Sequence, residues 1–380
     1  MVVKKTTEGS TAAAEAVCAC DPDVVACYPI TPSSHVAEHL ADLYAEGKLR
    51  DYIPVEQEFS SLSAIIGASA AGGRAFTATS SQGLALMHEP VFAAAGMRLP
   101  VVMVIGNRSL SAPLSIWNDW QDSISARDSG WIQLYCEQNQ EVVDTVPQAF
   151  KIAEETMIPV MVCMDGFFLT HAVEPLEIPE KNEVNQFLPK LEMKEKLDAS
   201  NPISMGEYAL PTHYQDFRKD LFDDMMKSAD VIKRVAAEYA KIVGREYGDG
   251  WLEQYKCEDA EHVLISMGSV VGNIKEAIDK LREKGEKYGV IRIKMYRPFP
   301  KEAMRKALEG KKTAGVFEKA IDMGAAGPVY EDVAESLLDA ENAPKLSSFI
   351  GGMAGRDIKF EDIESMFAKI KDGNKHVEWL

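Results

Sequence analysis

The sequence predicts an α/β protein. It should have a larger parallel sheet with helices on both faces, followed by a smaller α/β unit. Three observations lead there. Residues 1–170 alternate short apolar runs with helical patterns, as strand–helix–strand crossovers do. Residues 171–257 break that rhythm with recurrent prolines (Pro175, Pro179, Pro189, Pro202, Pro211) and intermixed charges. From residue 258 the alternation resumes. We place a first domain at 1–257, with its core in 1–170 and an extended excursion and linker in 171–257. A second domain occupies 258–380.

The elements follow in order. Val24–Cys27 reads as a strand, and Ser33 or Ser34 can cap a helix carrying Val36, Leu40 and Leu43 on one face. Tyr52–Val55 is a second strand, leading through Glu58 into Ser60–Gly73, a helix-like run of small residues. Ala75–Thr79 is a third strand, with Ser81–Phe92 as the next helix. Pro100–Ile105 and Met157–Met164 read as buried strands. Lys219–Val243 reads as one long polar helix. In the second domain, His262–Ser266, Tyr288–Ile293, Thr313–Phe317 and Leu346–Ile350 read as strands. Val270–Lys284, Lys301–Leu308, Ala325–Leu337 and Phe360–Ile370 read as helices between and after them.

The chain's 380 residues suffice for two domains. Its 46% hydrophobic and 26% charged residues are an ordinary globular balance. A net charge of −18 argues against nucleic acid, which needs a basic face. No apolar run reaches the roughly 18 residues of a membrane span, and no apolar core of a signal peptide follows Lys4 and Lys5. The expectation is a cytoplasmic protein with no membrane partner. The six cysteines are scattered, with no C-x-x-C pair, and read as reduced thiols rather than cluster ligands.

Three motifs invite chemistry and are set aside. His35-Val36-Ala37-Glu38-His39 has the H-x-x-E-H zinc spacing, but no third ligand stands out, so we read surface or interface histidines. Gly248-Asp249-Gly250 with Asn273 has the outline of a metal–diphosphate clamp, but it follows a charged helical stretch and not a buried strand. Gly67 and Gly72-Gly73 lack the spacing of a phosphate loop or a dinucleotide fingerprint. No metal site is expected on this chain.

The stronger signal is positional. Ligands of open parallel sheets sit beyond the carboxyl ends of strands. Thr31, Glu58, the Ser81-Gln82 turn and Asn107-Arg108 each follow a strand. One such polar group is unremarkable; four together indicate a site. Arg108 offers a cation fork to a carboxylate, and Thr31 a short neutral hydroxyl. Glu58 is either a helix cap or the working carboxylate of a cofactor site. Apolar Phe59 and Leu62 favour its protonated form, whereas the helix N-terminus favours the carboxylate.

Longer stretches carry a resemblance. They are Tyr28-Pro29-Ile30-Thr31-Pro32-Ser33-Ser34, Glu58 before its small-residue helix, and Thr77-Ala78-Thr79-Ser80-Ser81-Gln82-Gly83-Leu84. Asn107-Arg108-Ser109-Leu110-Ser111-Ala112-Pro113, Trp117-Asn118-Asp119-Trp120-Gln121-Asp122 and Asp165-Gly166-Phe167-Phe168-Leu169-Thr170-His171 continue the series. Met267-Gly268-Ser269-Val270-Val271-Gly272, Tyr296-Arg297-Pro298-Phe299-Pro300 and Gly324-Ala325-Ala326-Gly327-Pro328 complete it. Together they resemble the α subunits of the pyruvate:ferredoxin oxidoreductase (pyruvate synthase) family across nearly the whole chain.

The resemblance implies a thiamine-diphosphate-binding fold of the pyrimidine type, plus a C-terminal domain of the transketolase type. It implies conversion of a 2-oxoacid, coenzyme A and oxidised ferredoxin to an acyl-CoA, CO₂ and reduced ferredoxin. Thiamine diphosphate is then shared with a β subunit that carries the Mg²⁺ clamp. The [4Fe-4S] clusters belong to partner chains of an assembly with β, γ and δ subunits. By position, Glu58 matches the acid facing the aminopyrimidine ring nitrogen, and Thr31 and Arg108 match the residues holding the substrate carboxylate. Tyr28, Pro29, Ser81 and Gln82 are expected to line the same cleft around the cofactor. One obvious cation suits a monocarboxylate, so pyruvate is the expected substrate. The same chemistry on a branched-chain or aryl 2-oxoacid or on oxalate is the near alternative, and a non-catalytic assembly subunit the distant one. The missing glycine fingerprint disfavours a nicotinamide dehydrogenase.

Overall fold

A computed structural model describes residues 2–373 and 377–380. Among these residues fifteen strands lie in three sheets. In chain order they are β1 (Val2–Glu8), β2 (Val24–Cys27), β3 (Tyr52–Pro54), β4 (Ala75–Thr79), β5 (Val102–Asn107), β6 (Ile132–Tyr135), β7 (Val160–Asp165) and β8 (Val173–Pro179). There follow β9 (Leu252–Tyr255), β10 (His262–Ser266), β11 (Tyr288–Ile293), β12 (Met295–Arg297), β13 (Thr313–Glu318), β14 (Lys345–Ile350) and β15 (Val377–Trp379).

The larger sheet has seven strands in the order β12-β6-β7-β5-β4-β2-β3. Its strands run parallel except β12, which pairs antiparallel with β6. Strands β4, β5 and β7 are buried along their whole length, as a sheet covered on both faces requires. The chain leaves β2 for β3 on one side, then crosses back over β2 to β4 on the other. Right-handed crossovers therefore send successive helices to opposite faces. Helices Gly9–Ala19, Ser34–Ala45 and Asn139–Thr156 pack together on one face; Glu58–Ala70, Ser81–Leu86 and His88–Gly96 pack on the other. A crevice opens where the order reverses, between the carboxyl ends of β2 and β4.

The stretch after residue 170 is tied to this body. Strand β8 pairs antiparallel with β1. The 33-residue helix Pro211–Val243 starts with proline at its first turn, where the missing N–H costs nothing. It ends at Gly244, whose φ of 71° suits a left-handed cap. It packs on helix Asn139–Thr156, with Lys151 paired to Glu238 at 2.8 Å.

The smaller sheet has six strands in the order β15-β14-β13-β10-β11-β9, parallel except for β9. The two sheets exchange chain. β9 lies in the stretch expected as linker, yet joins the smaller sheet. β12 lies in the expected second domain, yet extends the larger sheet. Between the sheets Arg292 is buried against Glu141 at 2.5 Å, with Glu253 at 2.9 Å and Glu137 at 3.3 Å. Among the described residues no helix is long and apolar enough to cross a membrane.

Candidate active site at the carboxyl edge of the larger sheet

Because β3, β2, β4, β5 and β7 are parallel neighbours, the residues that follow them share one edge. Thr31, Glu58, Ser81, Arg108 and Asp165 all stand there. Ser80 Oγ donates to Ser33 Oγ at 3.0 Å across the mouth of the β2–β4 crevice.

Glu58 is the first residue of helix Glu58–Ala70 and is 7% exposed. The cap position belongs to Gln57, and no side chain caps the helix by hydrogen bonding. The Glu58 carboxylate turns toward Gly83. A Cβ built on Gly83 would stand 2.8 Å from Glu58 Oε1 and 2.4 Å from Thr79 Oγ1. Among the described residues no protein group hydrogen-bonds the Glu58 carboxylate. Thr79 Oγ1, which faces the same glycine, and Gln82 Nε2, on the residue before it, are buried without a partner among the described residues. Buried polar atoms ordinarily find partners, so these two, close in chain or space to the unpartnered Glu58 carboxylate, suit a polar ligand.

Arg108 follows β5 and is 7% exposed. Its Nη1 donates to the Thr31 carbonyl at 2.9 Å, and its Nε to the Ser115 carbonyl at 2.9 Å. Nη2 has no protein partner among the described residues. Burial lowers the Arg108 pKa from its ordinary value, with the Asp122 charge opposing. Thr31 is half-buried, and its carbonyl, not its hydroxyl, meets Arg108. Tyr28 is half-buried and Pro29 exposed on the same loop, and neither touches Glu58 through a hydrogen bond. Ser81 has φ 48°, a strained value for a residue with a Cβ. Its Oγ reaches Gln82 Oε1 and the Ser109 carbonyl, and its N–H reaches Asp122.

Two buried acids organise this edge. Asp122 receives N–H groups from the ends of β4 and β5. Asp165, at the end of β7, accepts from Trp120 Nε1 at 2.8 Å, Ser269 Oγ at 2.5 Å and Lys319 Nζ at 3.2 Å. Lys319 also donates to Asn118 Oδ1 at 3.0 Å. The smaller sheet thereby braces the loop 117–122.

Comparison with known proteins bears on this edge directly. The family described as "Pyruvate flavodoxin/ferredoxin oxidoreductase, thiamine diP-bdg" matches residues 15–237, and "Pyruvate:ferredoxin oxidoreductase core domain II" matches 260–363. "Pyruvate synthase subunit PorA" of Methanothermobacter thermautotrophicus is 44% identical over 100% of this chain and 98% of its own. The chain belongs to the pyruvate:ferredoxin oxidoreductase family, as an α subunit. Another family member, "Ketoisovalerate oxidoreductase subunit VorA" of Pyrococcus abyssi, is 40% identical over 99% of this chain and 97% of its own. Among solved structures, "2-oxoglutarate:ferredoxin oxidoreductase from Magnetococcus marinus with 2-oxoglutarate, coenzyme A and succinyl-CoA bound" superposes with a TM-score of 0.72 at 19% identity. The match covers 98% of this chain and 65% of that longer one. "Split gene transketolase, inactive beta4 tetramer" gives a TM-score of 0.55 at 12% identity, over 98% of this chain and 100% of that one. These two likenesses show the fold: a thiamine-diphosphate-binding architecture with a transketolase-type C-terminal domain.

The motifs set aside in this family member have other employment. His35 Nδ1 lies 2.7 Å from Glu8, and His39 Nε2 lies 3.2 Å from Glu15, so the two rings have separate partners. Asp249 accepts N–H groups from Trp251 and Leu252 at 2.9 Å each and pairs with Lys233 at 2.9 Å, closing a turn before β9. Five cysteines are buried and Cys18 is half-buried, all free. Among the described residues no group of three His, Cys, Asp or Glu side chains is placed to hold a metal.

Proposed function

We propose that this chain holds the aminopyrimidine half of thiamine diphosphate in a 2-oxoacid:ferredoxin oxidoreductase, with pyruvate as substrate. The observation that carries the reading is at Gly83: the Glu58 carboxylate and Thr79 Oγ1 face it without a protein partner among the described residues, and Gln82 Nε2 in the same turn is likewise unpartnered. An aminopyrimidine presents ring nitrogens and an amino group, which suit an acid, a hydroxyl and an amide. The bare glycine leaves room where a methyl group would collide with Glu58. The residues therefore fit the group.

Bound there, the cofactor supplies the carbon centre that accommodates negative charge as CO₂ leaves. The chain's own residues do the rest. Glu58 shares a proton with the ring nitrogen from a buried position where water competes poorly. Arg108 Nη2 and the Thr31 hydroxyl take the substrate carboxylate, with the guanidinium already fixed by two carbonyls. Tyr28, Pro29, Ser81 and Gln82 line the approach. The Mg²⁺–diphosphate clamp falls to a β subunit, and [4Fe-4S] clusters, coenzyme A and ferredoxin are met through β, γ and δ subunits.

Pyruvate is favoured over a dicarboxylate because the reading rests on one cation, Arg108, and a second carboxylate would want another. The test is an assay of the assembled complex with pyruvate, 2-oxoisovalerate and 2-oxoglutarate. The highest kcat/KM is expected for pyruvate. A preference for 2-oxoisovalerate overturns the substrate assignment. A complex that turns over any of the three without thiamine diphosphate overturns the cofactor assignment.

A further inference from the structure

Behind Arg108 and Ser81 stands a carboxylate that the proposed chemistry does not touch. Asp122, in the short helix Gln121–Ser125, is fully buried. Its Oδ2 accepts the backbone N–H of Ser81 and that of Arg108, each at 2.9 Å. Its Oδ1 accepts the Asn107 side-chain amide at 2.8 Å and the Ser123 N–H at 2.7 Å. A single oxygen thus ties the turn after β4 to the end of β5. The strained Ser81 turn and the substrate cation hang from the same atom.

Among the described residues no salt bridge offsets the charge of Asp122, and a buried carboxylate held only by N–H groups is costly unless its geometry is used. Among the charged and titratable groups, Arg108, Asp119, Tyr135 and Cys163 face it. Among the described residues none of their side chains hydrogen-bonds it; Arg108 reaches it through its backbone N–H alone. Its donors are instead backbone and amide groups at the carboxyl edge.

We propose that Asp122 is a positioning residue that locks Arg108 to the Ser81-Gln82 turn, so that the substrate cation and the cofactor turn are held as one unit. The inference rests on the reading of Arg108 as the group that receives the 2-oxoacid carboxylate. Asparagine in place of Asp122 keeps the shape but must turn an NH₂ toward either Oδ1's or Oδ2's donors. Two N–H groups then lose their acceptor. Burial pushes the Asp122 carboxyl up to about 6, against the Asn107, Ser81, Arg108 and Ser123 donors. Protonation below that pH turns one acceptor oxygen into a donor and should loosen the same set of N–H groups.

The test is a double-mutant cycle in the assembled complex, reading KM for pyruvate. Asp122→Asn should raise KM roughly 10-fold, the equivalent of one charge-assisted hydrogen bond. In an Arg108→Ala background it should add less than about twofold, because the two residues act as a unit. A residue that merely stabilises the fold would add its full effect in both backgrounds, and that result overturns the proposal, as does an unchanged KM in Asp122→Asn. Should Asp122→Asn fail to assemble, the pH profile decides. KM of the unmutated complex should rise as pH falls through about 6, and Arg108→Ala should abolish that rise. A KM that stays flat across pH 5–7.5 overturns it. If Arg108→Ala itself leaves KM unchanged, the carboxylate reading of Arg108 has failed, and the positioning role falls with it.

Discussion

Gly83 shows how little room the residue scale leaves. A methyl group there would meet Thr79 Oγ1 at 2.4 Å and Glu58 Cγ and Oε1 at 2.8 Å. Overpacking of this kind costs about 1–3 kcal/mol, and the Glu58 side chain is the movable neighbour. Gly83→Ala should therefore lower kcat at least 10-fold while changing KM for the 2-oxoacid less than about threefold, as initial rates at saturating cofactor would show. The shared edge of Thr31, Glu58, Ser81 and Arg108 was legible in the sequence because each follows a strand, and a parallel sheet gathers the loops after its strands. Gly83 and Thr79 lay within a quoted motif but gave no separate signal, since a glycine's value depends on what faces it. Asp122 and Asp165 were equally silent. Each serves backbone or side-chain groups of other elements, and no local periodicity marks such a role.

At the scale of elements, the strand ends of the two sheets meet at Asp165. Burial pushes its carboxyl up, but the Lys319 charge and the Ser269 and Trp120 hydrogen bonds outweigh that and hold it below its ordinary value of 3.8. A depressed carboxylate stabilises the fold above the pH where the unfolded chain titrates, and that contribution is lost as pH falls through the folded pKa. The brace should therefore be intact at neutral pH and fail below about 4. Lys319→Met leaves Asp165 buried without its cation, a loss of about 3–5 kcal/mol for a broken buried pair. A lower Tm at pH 7 is expected, with a smaller gap from the unmutated chain as pH approaches 4. Equal Tm values at pH 7 would refute the brace. Most elements were legible through their apolar runs. The expected strand Pro100–Ile105 is observed at Val102–Asn107, and Tyr288–Ile293 is observed unchanged. β12 was not legible. It is three residues long and only Lys294 separates it from β11, so no apolar run of its own marks it. Which sheet a short strand joins is decided by tertiary pairing.

At the scale of the molecule, the proposed reading gives this chain the polar cradle of the cofactor site and leaves the metal–diphosphate clamp to another subunit. That division suits a subunit whose site is completed by another chain. The exchange of β9 and β12 between sheets and the buried Arg292–Glu141 pair join the two sheets into one body. The most direct measurement is turnover of the assembled complex bearing Glu58→Gln. Proton sharing by a positioned acid typically contributes 10²- to 10⁴-fold, so kcat should fall by about 100-fold or more. Assembly and bound thiamine diphosphate should persist, since glutamine keeps the side chain's length and an acceptor oxygen. Turnover within about twofold of the unmutated complex, with the cofactor bound, would contradict the role assigned to Glu58.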